Sequence, residues 1–164
     1  MRFIFDVESN GLHGEGFAVG WVLTEFGNEV SSGYLRCPIE GPIDPWVAEN
    51  VAPHLDPVNC TTARSLRSMF WDAWIEAKNQ GATAWADCGF PVESSFLSAC
   101  VADQSIDRKW EAPYPLHEIA TVFVCNNIDP TIKFDRLEDE TPHHPTGDAR
   151  QSARLLQQYL PEKD

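Results

Sequence analysis

Arg2-Phe3-Ile4-Phe5-Asp6-Val7-Glu8-Ser9-Asn10-Gly11-Leu12 lies almost at the start of the 164-residue chain, and its reading decides the fold. An apolar, aromatic run closed by an Asn-Gly turn signal is how a strand begins and ends. Strand side chains alternate between faces, so Asp6 and Glu8 share one face, and neighbouring carboxylates repel unless a cation neutralises them. Oxygen-only ligation with no Cys or His alongside points to Mg²⁺ or Mn²⁺ rather than zinc. A solvated strand face is the competing account of an acid-x-acid pair.

Near the other end, Gly147 to Leu160 contains no Pro, and Ala149, Ser152, Ala153, Leu156 and Leu160 fall on one stripe at helical spacing. The segment reads as a helix of about four turns packed on the sheet. Asp148 falls in its first turn, where a carboxylate suits the positive end of the helix dipole, so capping alone would account for it. His143 and His144 lie just before, in a Pro-flanked stretch. A His beside a carboxylate cluster is a candidate general base near neutral pH, whereas a lone loop His is usually only an exposed polar residue.

Between these segments the organisation is regular. Phe17 to Thr24 reads as a second strand, and Gly27-Asn28 turns into a third over Glu29 to Leu35. Pro38 to Pro57, with five prolines, reads as a loop with at most a short helix near Trp46 to Asn50. Thr61 to Asn79 places Ala63, Leu66, Met69, Phe70, Ala73, Trp74 and Ala77 on a core-facing stripe, with Arg64, Arg67 and Lys78 outside it. Gly81 to Asp87 reads as a short buried strand running into the loop Cys88 to Pro91, and Val92 begins a helix. Ile119 to Val124 reads as a strand leading into a short helix, and the charged stretch Asn127 to Pro142 as a loop.

The Phe-Asp-x-Glu-x-x-Gly-Leu opening, followed near the other end by His, four residues and then Asp-Ala, resembles the DEDDh family of 3′-to-5′ exonucleases, the ribonuclease T and proofreading-exonuclease superfamily. The two motifs stand in the family's order and span nearly the whole chain. The resemblance implies an α/β, ribonuclease H-like fold, with a central mixed sheet, three antiparallel N-terminal strands and flanking helices. It implies two divalent ions, Mg²⁺ or Mn²⁺, with Asp6 bridging both and Glu8 and Asp148 completing one shell. By the family's spacing His143 is the general base, and His144 takes over only if the loop shifts by one. Asn10, Gly11 and Leu12 would read the terminal 3′-hydroxyl and base. The family's third acidic residue is where this chain departs from the pattern: Glu93 has the spacing, three residues before Phe96-Leu97. Asp87 has the residue type, at the carboxyl end of a strand where open α/β sheets gather their ligands. Asp87 ranks slightly ahead, and both stay open. The implied substrate is a short single-stranded 3′ end, RNA ahead of DNA, and the family's habit of pairing admits a homodimer.

Composition bounds these expectations. With 43% hydrophobic residues the chain can bury one good core, hence one domain over residues 1–164. Five cysteines without C-x-x-C spacing indicate neither a disulfide framework nor a zinc site, and fit a reducing cytoplasm. No segment has the length needed to cross a bilayer, so no membrane partner is expected. A formal net charge of −13 opposes the basic footprint of proteins that grip long nucleic acids. It suits an enzyme that acts on a few terminal nucleotides, with Arg150 and Arg154, or Arg64 and Arg67, as candidate phosphate contacts. Two other functions use the same residues: a metal-dependent phosphohydrolase of a small nucleotide, and a non-catalytic nucleic-acid-binding module.

Overall fold

The computed structural model describes residues 1–162. β1 (Arg2–Ser9) is the middle strand of a five-stranded mixed sheet, ordered β3-β2-β1-β4-β5. β2 (Gly16–Glu25) pairs antiparallel with β1 and with β3 (Asn28–Arg36), while β4 (Thr83–Ala86) runs parallel to β1 and β5 (His117–Glu118) parallel to β4. Helices cover both faces, which gives an α/β architecture. No helix among the described residues is long and apolar enough to cross a membrane.

Alternation along β1 distributes the two cores. Phe3, Phe5 and Val7 point to the face covered by α2 (Ala63–Asn79) and α3 (Ser94–Asp103), where they pack with Leu66, Phe70, Trp74, Phe96 and Cys100. Phe70 sits at the centre of that layer, its ring 5.3 Å from Phe5 and 5.1 Å from Phe96. Ile4 points to the other face, covered by α5 (Ile119–Cys125) and α6 (Pro145–Tyr159), and joins Val22, Trp85, Phe123, Leu155 and Leu156. Asp6 and Glu8 continue the Ile4 row, so the two acids lie on the α6 face just beyond an apolar residue.

Three local features differ from the expectations. Ile119 to Val124 is helical, and only His117 and Glu118 pair with β4; after that short ladder the run buries Ile119 and Phe123 against the sheet from α5. Arg67, expected on the outer face of α2, is buried and donates to Asp103 at 2.7 Å and to Glu15 at 2.8 Å. A buried guanidinium persists only with such partners. Met69, placed on the core stripe, is exposed. Between Pro38 and Pro57 stand a short helix α1 (Pro45–Asn50), capped by Asp44, and a single 3₁₀ turn; α4 (Ser105–Arg108) completes the set.

The seat of α6 is set by one glycine. Gly20 lies opposite Asp6 in the β1–β2 register, and a Cβ there would stand 2.2 Å from the Thr146 nitrogen. Only hydrogen at that position lets the first turn of α6 come down onto the sheet. Thr146 Oγ1 then donates to the Gly33 carbonyl at 3.0 Å, fixing the same turn to β3.

Candidate metal centre

Asp6 and Glu8 leave β1 on the same face, and Asp148 comes down to them from the first turn of α6. One carboxylate oxygen from each of the three lies within 4.8 Å of the others. Asp6 is pushed well above the ordinary range by burial, then by the charges of Asp148, Glu8, Glu93 and Asp87. Burial, followed by Asp148 and Glu93, raises Glu8 to about 8. Asp148 is also raised by burial, and Arg136 opposes the shift through an ion pair of 2.6 Å. Three half-buried, mutually repelling carboxylates with oxygen-only donors fit a hard divalent cation, which would neutralise the charge that the fold itself concentrates.

The two candidates for the third acidic position lie in different surroundings. Asp87 follows the last residue of β4 and lines an open cavity of about 490 Å³, together with His143, Arg136, Lys133, Phe134 and Ser152. Asp87 is exposed at the cavity mouth, and its carboxyl is raised by desolvation from the surrounding chain and by Asp148, and lowered by Arg136. Glu93 is buried at 8% exposure, at the end of the irregular turn Gly89–Glu93 that leads into α3. Burial raises it to about 7, and hydrogen bonds from the backbone of Glu93 and Val7 pull the other way. Glu93 is also one of the charges that raise Asp6 and Glu8, so it stands beside the cluster, while Asp87 lines the cavity.

The two histidines diverge. His143, at a φ of +57°, lines the cavity beside Asp87, and its ring lies edge-on to Trp46 at 5.6 Å. His144 turns away, stacks on Tyr34 at 4.7 Å and approaches Asp56 at 3.3 Å. With a left-handed backbone at His143, the two neighbouring rings meet different partners.

Asn10 braces the loop after β1. Its Oδ1 accepts from the Asp44 amide at 2.7 Å and its Nδ2 donates to the Pro42 carbonyl at 3.0 Å. Asp44 in turn accepts from the amides of Trp46 and Val47 at 2.9 and 3.2 Å. Asn10 thus positions α1 and the exposed Trp46 ring near His143. Gly11 takes a φ of +81°, which a side chain would strain, and Leu12 is 70% exposed. Sequence spacing carried no sign of Trp46, whose helix is too short for a readable stripe.

The arginines offered as phosphate contacts are engaged elsewhere. Arg150 donates to Glu29 at 3.0 and 3.1 Å, and Arg154 to the buried Glu140 at 2.6 and 2.8 Å. Arg64 donates to the Asp103 carbonyl and Arg67 to the Asp103 carboxylate. Arg136, in a charged loop without periodicity, is the arginine that reaches the carboxylates. No protein-family model matches the chain, and no curated protein matches it in sequence.

Proposed function

We propose that this protein is a metal-dependent 3′-to-5′ exonuclease of ribonuclease H-like fold, related to the DEDDh group. It would release nucleoside 5′-monophosphates from short single-stranded 3′ ends, RNA in preference to DNA. The observation that carries this reading is the convergence of Asp6, Glu8 and Asp148, from opposite ends of the chain, within 4.8 Å. Asp6, Glu8 and Asp148 would hold one divalent ion, and Asp6 with Asp87 or Glu93 would hold a second, Mg²⁺ or Mn²⁺. The chemistry such ions would supply is polarisation of the scissile phosphate and a lowered pKa of the attacking water.

The chain's own residues divide the remaining work. His143, on the cavity side, accepts the proton of the attacking water at a ring nitrogen. Leu12 and the Trp46 ring, both exposed near this end of the sheet, offer apolar surface to a terminal base. The Asn10-Gly11 backbone orients the 3′ end. Asp87 is ranked slightly ahead of Glu93 as the third acid because it lines the cavity, and Glu93, whose charge raises both Asp6 and Glu8, is the alternative. His144, against Tyr34 and Asp56, is not the base in this arrangement.

The net charge of −13 and the internal pairing of Arg64, Arg67, Arg150 and Arg154 favour a small substrate, and keep a second reading in view: hydrolysis of a small nucleotide at the same carboxylates. Digestion of 5′- and 3′-labelled single-stranded RNA and DNA in Mg²⁺, Mn²⁺ or EDTA, by wild type and Asp6→Ala, tests both. Stepwise shortening of the 5′-labelled strand and release of the 3′ label as mononucleotide, with metal and wild type only, supports the exonuclease. Turnover of nucleoside triphosphates or cyclic dinucleotides without oligomer cleavage transfers the site to the second reading, and binding without cleavage of either makes the domain a binding module.

A further inference from the structure

Resting on the metal-site reading above, we propose that Arg136 is a tethered counter-cation: it neutralises Asp148 until a divalent ion takes that carboxylate, and the released guanidinium then binds a phosphate of the substrate.

The geometry carries the first half. Arg136 Nη2 lies 2.6 Å from Asp148 Oδ1, and no other Lys or Arg among the described residues forms an ion pair with Asp6, Glu8 or Asp148. Seven other arginines, Arg2, Arg36, Arg64, Arg67, Arg108, Arg150 and Arg154, donate to groups outside the cluster. Asp148 is one of the three acids whose oxygens converge, so a guanidinium in contact with it repels an incoming divalent ion and must yield to it.

The loop allows that exchange. Residues 126–144, between α5 and α6, contain neither helix nor strand. The loop is pinned at Glu140, which is 2% exposed and held by Arg154 at 2.6 Å and by the Leu137 amide at 2.9 Å. Arg136 stands just before this pin; beyond Asp148 its guanidinium donates only to the Glu140 carbonyl, at 3.0 Å. The side chain can therefore swing while its anchor stays fixed.

Its destination is the cavity of about 490 Å³ that Arg136 lines with Lys133, His143 and Asp87. A guanidinium presents a planar fork that matches two phosphate oxygens, which an ammonium cannot do. In a chain with 25 acidic and 12 basic residues, a cation released only after the ions have bound also keeps phosphate from competing for the site before it is loaded.

The test begins without substrate. Free Mn²⁺ is followed by electron paramagnetic resonance while wild type, Arg136→Gln, Lys133→Gln and Asp6→Asn proteins are titrated. Arg136→Gln should bind Mn²⁺ about three- to tenfold more tightly than wild type, with Lys133→Gln changed much less. Equal Mn²⁺ affinity in wild type and Arg136→Gln, or equal tightening in Lys133→Gln, overturns the exchange. At saturating Mn²⁺ the KM of Arg136→Gln for a single-stranded oligonucleotide should rise about tenfold with kcat changed less, and Arg136→Lys should not restore it. An unchanged KM overturns the phosphate half. Wild type and Arg136→Gln that bind Mn²⁺ no better than Asp6→Asn would remove the metal site itself and the exchange with it. Tight binding by wild type with no effect of Arg136 strikes the exchange alone.

Discussion

The two faces of β1 obey opposite rules within one strand of eight residues. On the α2 side, Phe3, Phe5 and Val7 satisfy the hydrophobic effect with Phe70, Trp74 and Phe96. On the α6 side the row Ile4, Asp6, Glu8 passes from core to a knot of half-buried carboxylates. One face stores stability, and the other gives some of it up. The difference teaches that period-2 alternation can deliver a site as readily as a core, because it fixes which side chains are neighbours without regard to their chemistry.

The sharpest way to break the comparison is to mutate both faces at adjacent positions. Asp6→Asn should lower the proposed exonuclease activity on the order of a thousandfold or more, while thermal stability in EDTA at pH 8 is retained or increased. Phe5→Ala should destabilise by about 3–5 kcal/mol in urea unfolding and leave the Mn²⁺ affinity of the folded protein little changed. A Phe5→Ala protein that is stable but cannot bind Mn²⁺ would show that the faces are not separable.

A smaller effect is expected where the faces meet α6. Gly20→Ala places a methyl against the Thr146 backbone, and overpacking of this kind costs about 1–3 kcal/mol. The helix must lift, so Mn²⁺ affinity should fall together with stability, unlike either change above.

The mildest test is pH. Glu8 is held at about 8 against an ordinary 4.5, so the folded protein keeps a proton that the unfolded chain gives up. Its contribution to stability is complete below pH 4.5 and is lost as pH rises to about 8. Metal-free protein should therefore lose several degrees of Tm across that window, at about 2–4 °C per kcal/mol. Glu8→Gln should flatten the slope, and Mn²⁺ should restore stability at the alkaline end. A Tm that rises across the same window in EDTA would contradict the burial of these carboxylates.

The legible parts of this molecule were those with a period. Alternation placed Asp6 and Glu8 together, and the 3.6-residue stripe of α6 put Asp148 in its first turn, on the end that meets them. What spacing did not reveal depends on contacts distant in sequence. Ile119 to Val124 is as apolar as a strand, yet after a two-residue ladder it is helical and buries Ile119 and Phe123 against the sheet. The different partners of His143 and His144 go with one left-handed backbone angle and with Tyr34, far away in the chain. Arg136 and Gly20 left no local signal, since one lies in an aperiodic loop and the other acts through the absence of a side chain.

That the carboxylates come from β1 and from the last helix also bears on how the protein is made. Asp6 leaves the ribosome well before its neighbour Asp148, with every element from β2 to α5 synthesised between them. A contact of such high sequence separation forms late, after the intervening loop entropy has been overcome. A half-folded chain therefore carries Asp6 and Glu8 without their third partner, and the acidic cluster is assembled only when α6 docks.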